Sequence, residues 1–142
     1  MPIDKILINR KITLIAEDLL NLKSISKLDY SGYINDYKNE ILAERYLERI
    51  IGRMIDINYH IIVERAFPPP KDYYASFIQL GKLKILPVKL AEKLSKSAGL
   101  RNRLAHEYNG IDEKKVYQAV KECFADIPKY LKLIEKFITR KK

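Results

Sequence analysis

The sequence predicts an all-α protein: an antiparallel up-and-down bundle of four main helices plus a short one. Apolar residues recur every three to four positions over long stretches, the periodicity of amphipathic helices. Glycine is scarce, with 5 in 142 residues, too few for the repeated tight turns of an all-β chain. The connections between the helical stretches are short, so consecutive helices fold back on one another. A chain of this length builds one core, and residues 1–142 are read as a single domain.

The first helix is expected from about Ile3 to Leu22, on Ile3, Ile6, Leu7, Leu14, Ile15 and Leu22. Ser31-Gly32 is read as the break after it. From about Ile34 to Glu64 the positions Ile34, Tyr37, Ile41, Leu47, Ile50, Met54, Ile57 and Ile61 continue without proline. That is a helix of about 30 residues, or ~45 Å, the spine of the bundle. Gly52 inside it marks a close helix approach or a kink. Pro68-Pro69-Pro70 cannot continue a helix and form a stiff connector. Asp72 caps a short helix bearing Tyr74, Phe77, Ile78 and Leu80. Pro87 suits the first turn of a fourth helix, which runs to about Tyr108 and stops at Asn109-Gly110, a pair that tolerates the left-handed conformation. Asp112 caps the last helix, whose stripe is Val116, Val120, Phe124, Ile127, Leu131, Ile134 and Ile138.

Composition narrows the class of function. Apolar residues make up 47% and charged residues 32%, which excludes a disordered chain. The single cysteine, Cys123, allows neither an intrachain disulfide nor a cysteine metal cluster and reads as a small core residue. No apolar run approaches the ~20 residues that span a bilayer, and the N-terminus lacks a signal-peptide pattern, so no membrane is expected and a cytoplasmic location is. The formal charge of +9 favours a polyanionic partner, RNA or an acidic protein.

The chemistry concentrates at the end of the fourth helix, Gly99 to Gly110. Arg101 and Tyr108, seven apart, stand two turns apart on nearly one line, and Asn102 and His106, four apart, form a second line beside it. Followed backwards, the line of Arg101 runs through Ala98, Leu94 and Leu90, so a core-facing stripe turns polar halfway along the helix. A charge on such a stripe needs a partner, a cleft or an interface, because its unpaired burial is costly. A lone arginine near a helix C-terminus is ordinarily a solvated cation favoured by the dipole. Four polar side chains on two adjacent lines are harder to explain that way. No metal site or cofactor is expected: His60 and His106 fall on different helices without an acidic cluster, and no glycine-rich phosphate loop exists. His60, amid Ile57, Ile61 and Ile62, reads as packing, and Arg103 with Glu107 as a modest surface pair.

Arg101, His106 and Tyr108 match the R-x4-H-x-Y signature of the HEPN domain, in the HepT branch of prokaryotic toxin–antitoxin proteins. Arg45–Ile50 followed by Asp56–Ile62 resembles that family's long second helix, and Pro68–Phe77 with Leu80-Gly81 resembles its proline loop and short third helix. The resemblance runs from about residue 40 onward. It implies a HEPN-like bundle, a homodimer with the motif at the dimer cleft, and a metal-independent endoribonuclease toxin of a type VII-like HEPN/MNT pair. Arg101 and His106 would be catalytic, with Asn102 supporting them. Tyr108 would accept AMP from a nucleotidyltransferase antitoxin, with which the dimer would form a larger hetero-oligomer. Arg45 and Asp56 match polar positions of the second helix, where an ion pair between helices is expected.

The residue types suit the implied reaction. Histidine moves protons near neutral pH, arginine holds two phosphate oxygens with one fork, and a dimer supplies the second motif histidine that one chain lacks. Two other readings stand beside it. One is a non-catalytic nucleotide-binding subunit of a nucleotidyltransferase. The other is a dimerisation scaffold whose polar stripe serves only its interface.

Overall fold

The computed structural model describes residues 3–107 and 110–140. Among these the elements run α1 (Lys5–Ser26), α2 (Tyr30–Asn35), α3 (Tyr37–Glu64), α4 (Tyr73–Lys82), α5 (Val88–Ser95), α6 (Ser97–His106) and α7 (Glu113–Ile138). The fold is the expected all-α bundle, with α1, α3 and α7 as its long helices and α5–α6 forming the fourth limb. The spine is α3, which packs against α1, α2, α4, α6 and α7. Among the described residues no helix is long and apolar enough to cross a membrane.

The core stripe of α1 is Ile8, Ile12, Ile15, Leu19, Leu22 and Ile25, six positions spaced at three and four. Of the positions expected there, Ile15 and Leu22 are buried, whereas Ile6 is 83% exposed, since it lies off that line. The expected break at Ser31-Gly32 falls instead at Lys27–Asp29. The Asp29 carboxylate accepts from the Gly32 N–H at 2.7 Å and thereby starts α2, with Ser31 and Gly32 inside it. Asp36 is extended and accepts from the Lys38 N–H at 3.0 Å, so the spine starts at Tyr37 rather than Ile34. Ile34, Tyr37 and Ile41 consequently stay exposed, and burial on α3 begins with Ala43 and Leu47.

The Asp72 and Asp112 caps are present, their carboxylates accepting from Ala75 N–H at 2.7 Å and Lys114 N–H at 3.0 Å. The stripe of α7 is buried as expected except at Phe124, whose place in the core is taken by Cys123. The helix also runs through Pro128, whose ring forfeits one i→i−4 bond, because Ile127, Tyr130 and Leu131 bury around it. The fourth limb is divided at Lys96. There the Ser95 and Ser97 hydroxyls donate to the Glu92 and Leu94 carbonyls, competing with the backbone ladder. Gly81 lets α4 and α5 touch: a Cβ built there would stand 2.9 Å from the Ala91 Cβ.

A buried polar chain ties three helices together. The Tyr130 hydroxyl of α7 donates to Asn58 Oδ1 of α3 at 2.6 Å, and Asn58 Nδ2 donates to Ser76 Oγ of α4 at 3.1 Å. Ser76 Oγ in turn donates to the Tyr73 carbonyl at 2.7 Å. This chain sets where α4 begins relative to α3, and the first residue of α4 faces the candidate site.

Candidate active site at the junction of α3, α4 and α6

The polar end of the fourth limb is α6, which ends at His106, with Glu107 extended beyond it. The expected continuation to Tyr108 is therefore corrected at Glu107, whose N–H bonds the Arg103 carbonyl at 2.8 Å. Gly110 has φ +78°, the left-handed conformation expected of it. Tyr108 and Asn109 lie outside the described residues.

Leu94 and Ala98 are buried, and Arg101 continues their line into a groove against α3 and α4. Gly52 forms the floor: a Cβ there would stand 4.0 Å from Arg101 Nε. The Arg101 guanidinium lies over the Tyr73 ring, 5.5 Å from its centroid, and Tyr59 meets Tyr73 edge-on at 6.1 Å. Arg101 Nε is buried and has no hydrogen-bond partner among the described residues. The groove encloses about 290 Å³ and is completed by Ile55 and Asp56. Tyr59 is held at its far end, its hydroxyl donating to the Pro70 carbonyl at 3.3 Å. Burial raises its phenol above the ordinary tyrosine range, with Tyr73 and Asp72 adding to the effect.

A second groove continues on the other side of Gly52, lined by Arg45, Glu48, Arg49, Arg53, Asp56 and Arg101. Its four arginines outnumber the carboxylates Glu48 and Asp56, and with Asp18 behind them the excess is one positive charge. Arg49 and Arg53 are held by the buried Asp18 of α1, at 3.0 and 2.7 Å. The ion pair expected between helices forms at Asp56, which bonds Lys11 of α1 at 3.2 Å. Arg45 instead pairs within α3, with Glu48 one turn along at 3.1 Å. Arg103 and Glu107 form no ion pair among the described residues, because Glu107 has left the helix.

Asn102 and His106 stay on the exposed face of α6, beside the groove but outside it. Within one chain, then, Arg101 is gathered with aromatic and carboxylate neighbours, while the imidazole faces solvent. His60 is structural, as expected: its Nε2 accepts from the Asp4 N–H at 3.0 Å and pins the start of α1 to α3. Among the described residues no three His, Cys, Asp or Glu side chains converge as a metal site would require. Tyr59 and Tyr73 were missed in the sequence. Gly52, Asp56 and Tyr59 share one face of α3 at helical spacing, the one signal that pointed to a common groove. Tyr73 has no such signal, because it joins them from another helix.

A family model described as "Ribonuclease HepT-like" matches residues 15–135. The tRNA nuclease HepT of Aphanizomenon flos-aquae is 32% identical over 136 residues, 96% of this chain and 92% of that protein. Among solved structures, the tri-AMPylated HEPN toxin of Shewanella oneidensis in complex with MNT antitoxin superposes with TM-score 0.82 at 24% identity, covering 92% of this chain and 97% of that one. The Bacillus subtilis cytosolic protein of unknown function YutE superposes with TM-score 0.83 at 19% identity, covering 97% of this chain and 93% of the other.

Proposed function

The chain belongs to the HepT-like ribonuclease family, and from that premise we propose that it is the toxin of a HEPN/MNT toxin–antitoxin pair, cutting RNA without a metal ion. The observation that carries the reading is Arg101: a buried Nε with no hydrogen-bond partner among the described residues, where a tyrosine-lined groove meets an arginine-lined one, one helix face away from His106.

In this reading two chains pair so that the α6 faces meet, and each contributes Arg101, Asn102 and His106. One His106 takes the proton of a ribose 2′-hydroxyl. That oxygen bonds to phosphorus, the P–O5′ bond breaks, and the second His106 returns a proton to O5′. Arg101 holds the non-bridging oxygens while negative charge builds on them. Asn102, one turn from His106, orients the imidazole or bonds the phosphate. DNA lacks the attacking hydroxyl and is spared.

Tyr108 follows His106 by two residues and is the acceptor for AMP added by the nucleotidyltransferase antitoxin. The Shewanella toxin in its antitoxin complex is tri-AMPylated, which supports such a modification in this chain. Each added phosphate brings negative charge toward Arg101 and His106 and occupies the space an RNA phosphate needs. The pair acts in the cytoplasm.

The test is RNA cleavage by purified, unmodified protein in EDTA, with Arg101→Ala and His106→Ala variants shown to fold and dimerise. Cleavage that both substitutions abolish supports the proposal. Intact dimers that bind nucleotide but cut none of several RNAs would overturn it in favour of the nucleotide-binding subunit.

A further inference from the structure

Beside the phosphate-holding Arg101, the groove between α3 and α4 has walls that no phosphate needs. One is aromatic: Tyr73 and Tyr59, edge to face at 6.1 Å, with Tyr73 37% exposed. The other is Asp56, whose carboxylate is largely exposed and bonded through Oδ2 to Lys11, so that Oδ1 is not used by that ion pair. The floor at Gly52 carries no side chain, so the space between these walls stays open. A benzene-sized ligand fills a cavity of about 150 Å³; the 290 Å³ here admits a two-ring purine.

From this arrangement we propose that the groove is a nucleobase subsite adjoining the scissile phosphate, seating a base in the corner between Tyr73 and Tyr59, against the face of one ring and the edge of the other, and reading its amino edge with Asp56. The proposal rests on the ribonuclease reading and adds a base preference to it. Stacking on tyrosine is indifferent to sequence, because every base has a π face. Discrimination comes from the carboxylate, which only accepts hydrogen bonds. Guanine presents N1–H and N2–H2 side by side and satisfies it best. Adenine and cytosine offer one amino group next to an acceptor. Uracil offers N3–H flanked by two carbonyl oxygens that repel the carboxylate. The ranking is guanine first and uracil last.

The platform is pre-set. Tyr59 is tethered to the proline loop through Pro70, and the start of α4 is tied through Ser76 and Asn58 to Tyr130 in the core. The Arg101 guanidinium over Tyr73 then fixes where a phosphate sits relative to the stacked base.

The experiment is binding of 5′-GMP and 5′-UMP to the unmodified full chain by calorimetry or NMR titration, with RNA cleavage in EDTA measured in parallel. GMP is expected to bind about tenfold more tightly than UMP, and Tyr73→Leu to weaken both by about tenfold while Tyr73→Phe weakens neither. Asp56→Asn, whose amide can also donate, should bring GMP and UMP within about twofold. Lys11→Ala breaks the same ion pair but keeps the carboxylate, so it should leave the preference in place. Equal binding of the two nucleotides by the wild type overturns the subsite, as does unchanged binding by a folded Tyr73→Leu. A clear GMP preference without RNA cleavage overturns the ribonuclease reading and leaves the base subsite standing.

Discussion

Tyr130→Phe isolates one hydroxyl in the centre of the bundle. Tyr130 and Asn58 are both fully buried, and the hydroxyl donates at 2.6 Å to Asn58 Oδ1, with the Met54 carbonyl also within reach at 3.1 Å. Phenylalanine keeps the ring's packing against Phe77, at 6.4 Å between centroids, so no cavity opens. The substitution removes the partner of Asn58 Oδ1 and leaves that oxygen buried without a donor. The cost is its desolvation, about 2 kcal/mol within the 1–3 kcal/mol typical of an unsatisfied buried polar atom. For a chain of this size that lowers Tm by about 5–10 °C. Urea denaturation followed by far-UV circular dichroism measures it, and the m-value should not change. A loss below about 0.5 kcal/mol would refute the reasoning and mean that Asn58 finds another donor. Because the same chain of bonds sets the first turn of α4, the variant should also bind GMP more weakly.

Three further outcomes follow from the packing and the charges. Gly81→Ala should destabilise by about 1–3 kcal/mol, since the new methyl meets the Ala91 Cβ at 2.9 Å and neither side chain can turn away; thermal melts check it. Asp18→Asn should cost about 2–3 kcal/mol, because it removes the shared partner of Arg49 and Arg53, which at 38% and 20% side-chain exposure regain part of their hydration. Urea titration in high and low salt checks it, and a near-zero effect would mean the pairs contribute nothing. Glu44 has its carboxyl pushed up to about 7 by burial first, then by its hydrogen bond with Glu113 and the negative charges of Glu113 and Glu40. A carboxyl that holds its proton more tightly folded than unfolded adds stability as pH falls from about 7 toward 4.5, and that contribution is lost as pH rises through 7. Glu44→Gln should therefore stabilise the protein at pH 8, by on the order of 1 kcal/mol after solvent screening, and have little effect near pH 4.5. Equal effects at both pH values would contradict this.

Local chemistry made much of this legible in the sequence. Asp72 and Asp112 announce their helices because a cap acts on amides two or three residues away, and the α7 stripe is long enough for its period to be unambiguous. Short or marginal signals misled. Ser31-Gly32 looks like a break, but Asp29 caps through it, and Ile6 and Ile41 have the right spacing while facing away from any partner. The division at Lys96 arises from two serine hydroxyls competing for carbonyls, a choice that propensity does not record. At the site, the line Leu94, Ala98, Arg101 was visible as a core stripe turning charged. What Arg101 would meet was not. Tyr73 reaches it from a separate helix, and the partner that Asp56 finds across helices is Lys11 of α1, both settled by how the helices pack.

The most direct measurement is cleavage of RNA by the unmodified protein in EDTA, scored for the chemistry of the new ends and set beside the same strand with a 2′-deoxy nucleotide at the cut site. The account predicts 2′,3′-cyclic phosphate and 5′-hydroxyl ends, no cut at the deoxy position, and loss of cleavage in both Arg101→Ala and His106→Ala. Cleavage that continues through the deoxy position, or that persists in a folded, dimeric His106→Ala, would contradict it.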